Sequence, residues 1–283
     1  MTPPLSVCVA GATGWTGRAL IPAILISPDL RLAGAVARRA AGEDIGTVLG
    51  GPPVGVIVAA SVADALREPV DVLIDYTTSF AVRANVNVAL ARGVHVVIGT
   101  SGLTNSDYLE IERVALEHKC GVIAGGNFSI TAALVKHFAA IAAAHMPDWE
   151  IIDYAHADKV DVPSGVTREL AEFLTAHPHK SDALEPNQLN GPVEARGAGI
   201  AGTRVHSIRL PSYTIAFEVI FGRSHERLTL RHDAGPSAEP YVSGTLLAVR
   251  RVSRIRGLIR GLDQLLFGSI NWSSQSPVEH HAS

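Results

Sequence analysis

The chain has 283 residues, of which 47% are hydrophobic, 18% charged and only 5% aromatic. That balance excludes a disordered chain and builds the interior from Ala, Val, Leu and Ile; the length suggests two domains. Lys and Arg total 24 against 27 Asp and Glu, so a net charge of -3 gives no electrostatic ground for a nucleic-acid or anionic-membrane partner and leaves small molecules.

Cys8 and Cys120 lie in or beside apolar runs and are too few for a disulfide scaffold, which fits a reducing cytoplasm. No early segment reads as a signal peptide, and no apolar run reaches the roughly 18 residues that span a bilayer. The expectation is a soluble, unprocessed protein.

Residues 5–10 are almost wholly apolar without alternation, as in a parallel strand covered on both faces. Gly11 ends the run. A helix is predicted over 18–26, kinked or started by Pro22, then a strand over 32–37. Strands follow at 71–76, 94–99 and 121–124, with helices at 80–92 and 106–118 between them. This alternation predicts a doubly wound parallel sheet through about residue 128. Beyond it the pattern becomes a long helix over 132–145, strands over 149–156, 203–210, 213–221 and 226–232, and a helix over 242–251. The stretch 176–202, rich in His, Pro, Asn and Gly, reads as a long surface loop, and 273–283 as a polar tail.

Gly11-Ala12-Thr13-Gly14-Trp15-Thr16-Gly17 spaces glycines three apart between a buried strand and a helix. Three demands there exclude a Cβ: a tight turn, backbone approach to a pyrophosphate, and close packing of helix on strand. The helix N-terminus then offers free N–H groups to phosphate. At the end of the second strand an NAD-selective site places a carboxylate on the ribose, whereas this chain has Ala37 followed by Arg38 and Arg39. Two guanidiniums suit a 2′-phosphate, so NADPH is favoured, with NADH the alternative.

Lys159-Val160-Asp161-Val162-Pro163-Ser164-Gly165 is the most specific stretch. Together with the loop at Gly11 it resembles dihydrodipicolinate reductase, which reduces a cyclic dicarboxylate with NAD(P)H in lysine and diaminopimelate biosynthesis. Further matches are Asp75-Tyr76-Thr77, Gly99-Thr100-Ser101-Gly102, Gly126-Asn127-Phe128-Ser129, Ser207-Ile208-Arg209, Val219-Ile220-Phe221, the run 226–232 and the run 243–248. The resemblance implies an α/β fold with a Rossmann-like nucleotide domain (1–128 and 240–270) and an α+β mixed-sheet domain (129–239) that binds substrate and makes a homotetramer. Residues 271–283 remain as tail. It also implies that Thr77, Gly99, Thr100, Ser101 and Gly125 to Phe128 line the cofactor and that Lys159 donates a proton. His156, Ser164, Gly165, Val166, Thr167 and Arg209 would contact an anionic substrate.

This chain departs from the family pattern at informative places. The first of two adjacent histidines is Ala155, and the threonine that holds a substrate carboxylate is Val166. Pro211, Ile215 and Phe217 stand where the family has glycines and a histidine, and Trp15-Thr16 replaces arginine and methionine. Three readings follow: the family reaction run by Lys159 and water, a divergent paralogue reducing another imine or unsaturated acid, or nucleotide binding without turnover. His177-Pro178-His179 and His280-His281 lack a third ligand at regular spacing, so no metal is expected. Arg250, Arg251, Arg254, Arg256 and Arg260 read as a basic run on a helical stretch, without the aromatic interleaving of a nucleic-acid surface. No Gly-x-Ser-x-Gly elbow is present.

Overall fold

The computed structural model describes residues 3–268 except 182 and 185–187. In chain order the first half runs β1 (Leu5–Ala10), α1 (Trp15–Leu25), β2 (Leu30–Val36), α2 (Ile45–Val48), β3 (Val58–Ala59), α3 (Val62–Ala65), β4 (Val72–Asp75), α4 (Ser79–Leu90), β5 (His95–Ile98), α5 (Asn105–Glu117) and β6 (Gly121–Ala124). Then come α6 (Ile130–Ala143), β7 (Trp149–Ala155), α7 (Gly165–Leu174), β8 (Ala198–Ile200), β9 (Thr203–Arg209), β10 (Ile215–Arg223), β11 (Glu226–Ala234), α8 (Glu239–Val252), β12 (Gly257–Arg260) and α9 (Leu262–Phe267).

The first sheet is parallel throughout, in the order β12-β6-β5-β4-β1-β2-β3. Its strands read as unbroken apolar runs because both faces are covered. Val7 and Val9 of β1 pack into the core formed with α1 and α8, through Leu20, Ile24, Leu246 and Val249. Cys8 and Ala10 enter the opposite core with Val82 and Val86 of α4 and Ile111 of α5. Alternation between two buried faces leaves few polar positions, Ser6 and Asp75 among them.

The second sheet is mixed, in the order β11-β10-β7-β9-β8. One face, carrying Trp149, Ile151, Val205, Val219 and Phe221, packs on Ala139 and Ala142 of α6 and Leu170 and Leu174 of α7. On the other face Glu150, Ile152 and His206 stay half-buried. Among the described residues no helix is long and apolar enough to cross a membrane.

The structure differs from the sequence reading in several places, the short elements α2, β3, α3, β12 and α9 among them. Helix α1 begins at Trp15 with Gly14 as its cap, earlier than 18, because the glycine turn itself starts the helix. Pro22 lies beyond the middle of α1, on its exposed side. The loop over 176–202 contains a 3-10 turn, Val193–Arg196, and strand β8, whose pairing with β9 supplies the ladder that its composition hides. The basic run is not one helix: α8 ends at Val252, Arg254 and Arg256 lie in the following turn, and Arg260 ends β12. Finally, helix α7, which starts at the last residue of the Lys159–Gly165 stretch, was not predicted. His280-His281 and the tail lie outside the described residues.

Candidate active site

Each glycine of the first turn answers a different constraint. Gly11 has φ +82°, and a Cβ there would lie 2.2 Å from the Tyr76 carbonyl oxygen. A Cβ on Gly17 would meet the Gly11 carbonyl oxygen at 2.3 Å, so this glycine lets α1 press onto the turn. Gly14 caps α1 and lines an open cavity of about 450 Å³ with Trp15, Thr16, Thr77, Gly99, Thr100 and Ser101. No acidic side chain occupies the first turn, so the helix terminus is free to meet an anion. Ala12 is buried, and the Thr13 carbonyl accepts a hydrogen bond from Arg18 Nε at 3.0 Å; neither side chain lines the cavity.

Asp75 organises the opposite wall. Fully buried at the end of β4, it accepts from Thr77 N–H at 3.0 Å, the Thr77 hydroxyl at 2.7 Å, the Thr100 hydroxyl at 2.7 Å and Asn85 Nδ2 at 2.8 Å. The Thr77 and Thr100 hydroxyls are therefore spent on the protein's own loops. A Cβ on Gly99 would lie 2.1 Å from the Tyr76 ring, and the Tyr76 hydroxyl bonds Thr245 at 2.8 Å. A second cavity, of about 160 Å³, continues past Tyr76 and Gly99 to Gly126 and Phe128. Trp15 and Tyr241 meet edge-on over it, with ring centroids 5.7 Å apart. Glycine turn, helix terminus and continuous trough fit a dinucleotide. Arg38 and Arg39, exposed in a 3-10 turn after β2, make no ion pair among the described residues.

The larger cleft, of about 750 Å³, opens between the two sheets. Gly126, Asn127, Ser101 and Tyr241 line one side; Lys159, Asp161, Ser164, Gly165 and Val166 line the other. Lys159 Nζ lies 2.8 Å from Asp161 Oδ1 and keeps 27% of its side chain exposed. Partial burial works to raise the Asp161 carboxyl, but the Lys159 hydrogen bond and charge hold it below the ordinary carboxylate range. Both side chains of the pair line the cleft. The Ser164 hydroxyl is buried without a partner.

The turn at Ser164 is held from beneath by Asp153, which the sequence reading did not single out. This wholly buried carboxylate accepts from Ser164 N–H at 3.0 Å, the Thr167 hydroxyl at 3.0 Å, the Ser207 hydroxyl at 3.2 Å and Arg209 Nη2 at 2.8 Å. Burial would raise it, yet these donors, led by Ser164 and Arg209, hold it below the usual range. Arg209 also donates to the Asp161 carbonyl at 2.8 Å, so Thr167 and Arg209 support the loop from outside the cleft lining. His156 is exposed beside Asp158, and Ala155 is fully buried at the end of β7. His179 packs against Trp149 with centroids 4.3 Å apart. The signal for Asp153 was a carboxylate in phase with Trp149 and Ile151 in the strand 149–155; Tyr241, an aromatic at the start of α8, gave none.

Family models described as dihydrodipicolinate reductase, N-terminus and C-terminus, match residues 5–128 and 129–266. The 4-hydroxy-tetrahydrodipicolinate reductase of Moorella thermoacetica is 38% identical over 268 residues, covering 94% of this chain and 99% of the relative. That of Synechococcus elongatus is 39% identical over 279 residues, covering 94% and 100%. Among solved structures, a dipicolinate-bound dihydrodipicolinate reductase from Paenisporosarcina sp. TG-14 superposes with TM-score 0.81 at 28% identity, covering 93% and 99%. The amine dehydrogenase of Mycobacterium smegmatis, with TM-score 0.64 and 13% identity, shares the fold alone. Motif order, paired sheets and near-complete coverage agree: the chain belongs to the dihydrodipicolinate reductase family and is an oxidoreductase of the nicotinamide-dependent kind.

Proposed function

We propose that the chain reduces a cyclic dicarboxylate, 4-hydroxy-tetrahydrodipicolinate or a close analogue, with NADPH, in lysine and diaminopimelate biosynthesis. The carrying observation is one cleft in which Lys159 and the Ser164-Gly165 turn face Gly126 and Asn127. When bound, the dinucleotide supplies a hydride to a ring carbon. The N-terminal turn of α7, at Gly165 and Val166, holds a substrate carboxylate, with the Ser164 hydroxyl beside it. The Lys159 ammonium, held at the cleft by its contact with Asp161, gives a proton to the atom on which charge develops, and solvent restores it. Arg38 and Arg39 grip the 2′-phosphate, since Ala37 offers no carboxylate to repel it.

The domains of this reading are 1–128 with 240–270, and 129–239. The open face of the second sheet, with half-buried Ile152 and His206, supports a homotetramer assembled through that sheet, and two buried free thiols suit a cytoplasmic setting. A second reading is favoured by one observation. Val166, where the family has a threonine, and Phe217, in the stretch where it has glycines and a histidine, line a small extension of about 30 Å³ with Leu170 and Leu262, edged by Lys136, Glu169 and Asp263, which suits a different imine or unsaturated acid. NADPH oxidation with 4-hydroxy-tetrahydrodipicolinate tests the first reading. Turnover at an ordinary enzymic rate supports it; absence of turnover alongside intact NADPH binding favours the second.

A further inference from the structure

We infer that Lys136 is a positioning residue that fixes the two walls of the cleft relative to one another, a reading that rests on the proposed reductase function. Lys136 projects from α6, and its ammonium lies 2.9 Å from Glu169 Oε1 on α7 and 3.1 Å from Asp263 Oδ1 on α9. It also sits 4.6 Å from the centre of the Phe173 ring. One cation therefore ties the helix that carries the substrate turn to a helix of the parallel-sheet layer. The group is deep: 16% of the lysine side chain and 7% of the Asp263 side chain are exposed. Burial disfavours the charged lysine, and the two carboxylates more than compensate.

Lys136 lines the same cleft as Lys159, together with Gly126 and Asn127. Glu169 reaches further, because a Cβ on Gly126 would lie 3.3 Å from its Oε2. The ammonium thus holds a carboxylate against the loop that faces the dinucleotide, while the same helix presents Gly165 and Val166 to the substrate. A buried ion cluster adds little stability over an apolar replacement. What it supplies is a set distance, and misplacing reacting groups by about 1 Å costs on the order of 10²-fold in rate. Without the lysine, Glu169 and Asp263 are left as like charges facing each other across the seam, and α7 is pushed from α9.

The test compares wild type, Lys136→Met, Lys136→Arg and Lys136→Met with Asp263→Asn in the full chain. It reads kcat and KM, the NADPH dissociation constant by calorimetry, and amide hydrogen exchange. Lys136→Met is expected to lower kcat roughly 10- to 100-fold while NADPH affinity stays within about threefold, and to raise exchange locally at 126–130 and 164–168. Lys136→Arg restores most of the rate, and the added Asp263→Asn recovers part of the local protection. Unchanged kcat and exchange in Lys136→Met overturn the inference; so does a rise in exchange across the whole chain that Lys136→Arg does not reverse. If Lys136→Met does not fold, Glu169→Gln, at a half-exposed position, carries the same comparison. A wild type that binds NADPH but reduces no cyclic dicarboxylate overturns the proposed function, and the exchange comparison then decides Lys136 alone.

Discussion

In the proposed reaction Lys159 is the proton donor, and its 2.8 Å contact with Asp161 holds its side chain at the cleft. Lys159→Met is expected to lower kcat about 10²- to 10⁴-fold, the usual worth of general acid assistance, with NADPH binding retained; stopped-flow NADPH oxidation and calorimetry check the two halves. Ala155 and Val166 mark what the site lacks. If the pocket has merely lost groups, Ala155→His with Val166→Thr raises turnover of 4-hydroxy-tetrahydrodipicolinate, by roughly tenfold or more for a restored hydrogen bond of about 1.5 to 3 kcal/mol. No gain points to a pocket reshaped for another ligand. Lys159 was legible because a motif surrounds it, whereas Lys136 was not, since it stands in an Ala-rich helix and its carboxylates are 33 and 127 residues away along the chain.

At the level of elements, the Asp153 cluster joins β7, β9 and the start of α7. Removing a buried carboxylate leaves Arg209 as an uncompensated cation, so Asp153→Ala should cost about 3 to 5 kcal/mol in denaturant unfolding. Because the folded state depresses the Asp153 carboxyl, its contribution is complete above the ordinary carboxylate range and is lost as pH falls through the lowered folded value. Unfolding free energies measured from neutral to acid pH should therefore fall less steeply for Asp153→Asn than for wild type. An unchanged acid slope contradicts that assignment. Helix α7 carried a readable signal, since Val166, Leu170 and Leu174 recur every four residues. Strand β12, by contrast, was hidden. Four residues after an arginine-rich turn show no periodicity, and only pairing with β6 defines them.

For the whole molecule, the parallel sheet was legible in the sequence because both of its faces are buried, and that forces continuous apolar strands. The mixed sheet was legible in all its strands but β8, and not in its order, which depends on pairings such as β7 with β9 that skip intervening segments. Two expectations belong at this scale. Arg38→Ala should erode the preference for NADPH over NADH, read as the ratio of dissociation constants, and an unaltered ratio removes Arg38 from the site. Light scattering should give a tetramer at micromolar concentration, and a monomer contradicts the assembly proposed for the open sheet face.

The central claim is that one cleft brings a reduced dinucleotide and a cyclic dicarboxylate together at Lys159. Calorimetric titration of the NADPH-loaded protein with pyridine-2,6-dicarboxylate addresses it most directly. The account predicts saturable binding that requires NADPH and is lost in Lys159→Met; no binding of the dicarboxylate to the NADPH complex, or binding indifferent to Lys159, contradicts it.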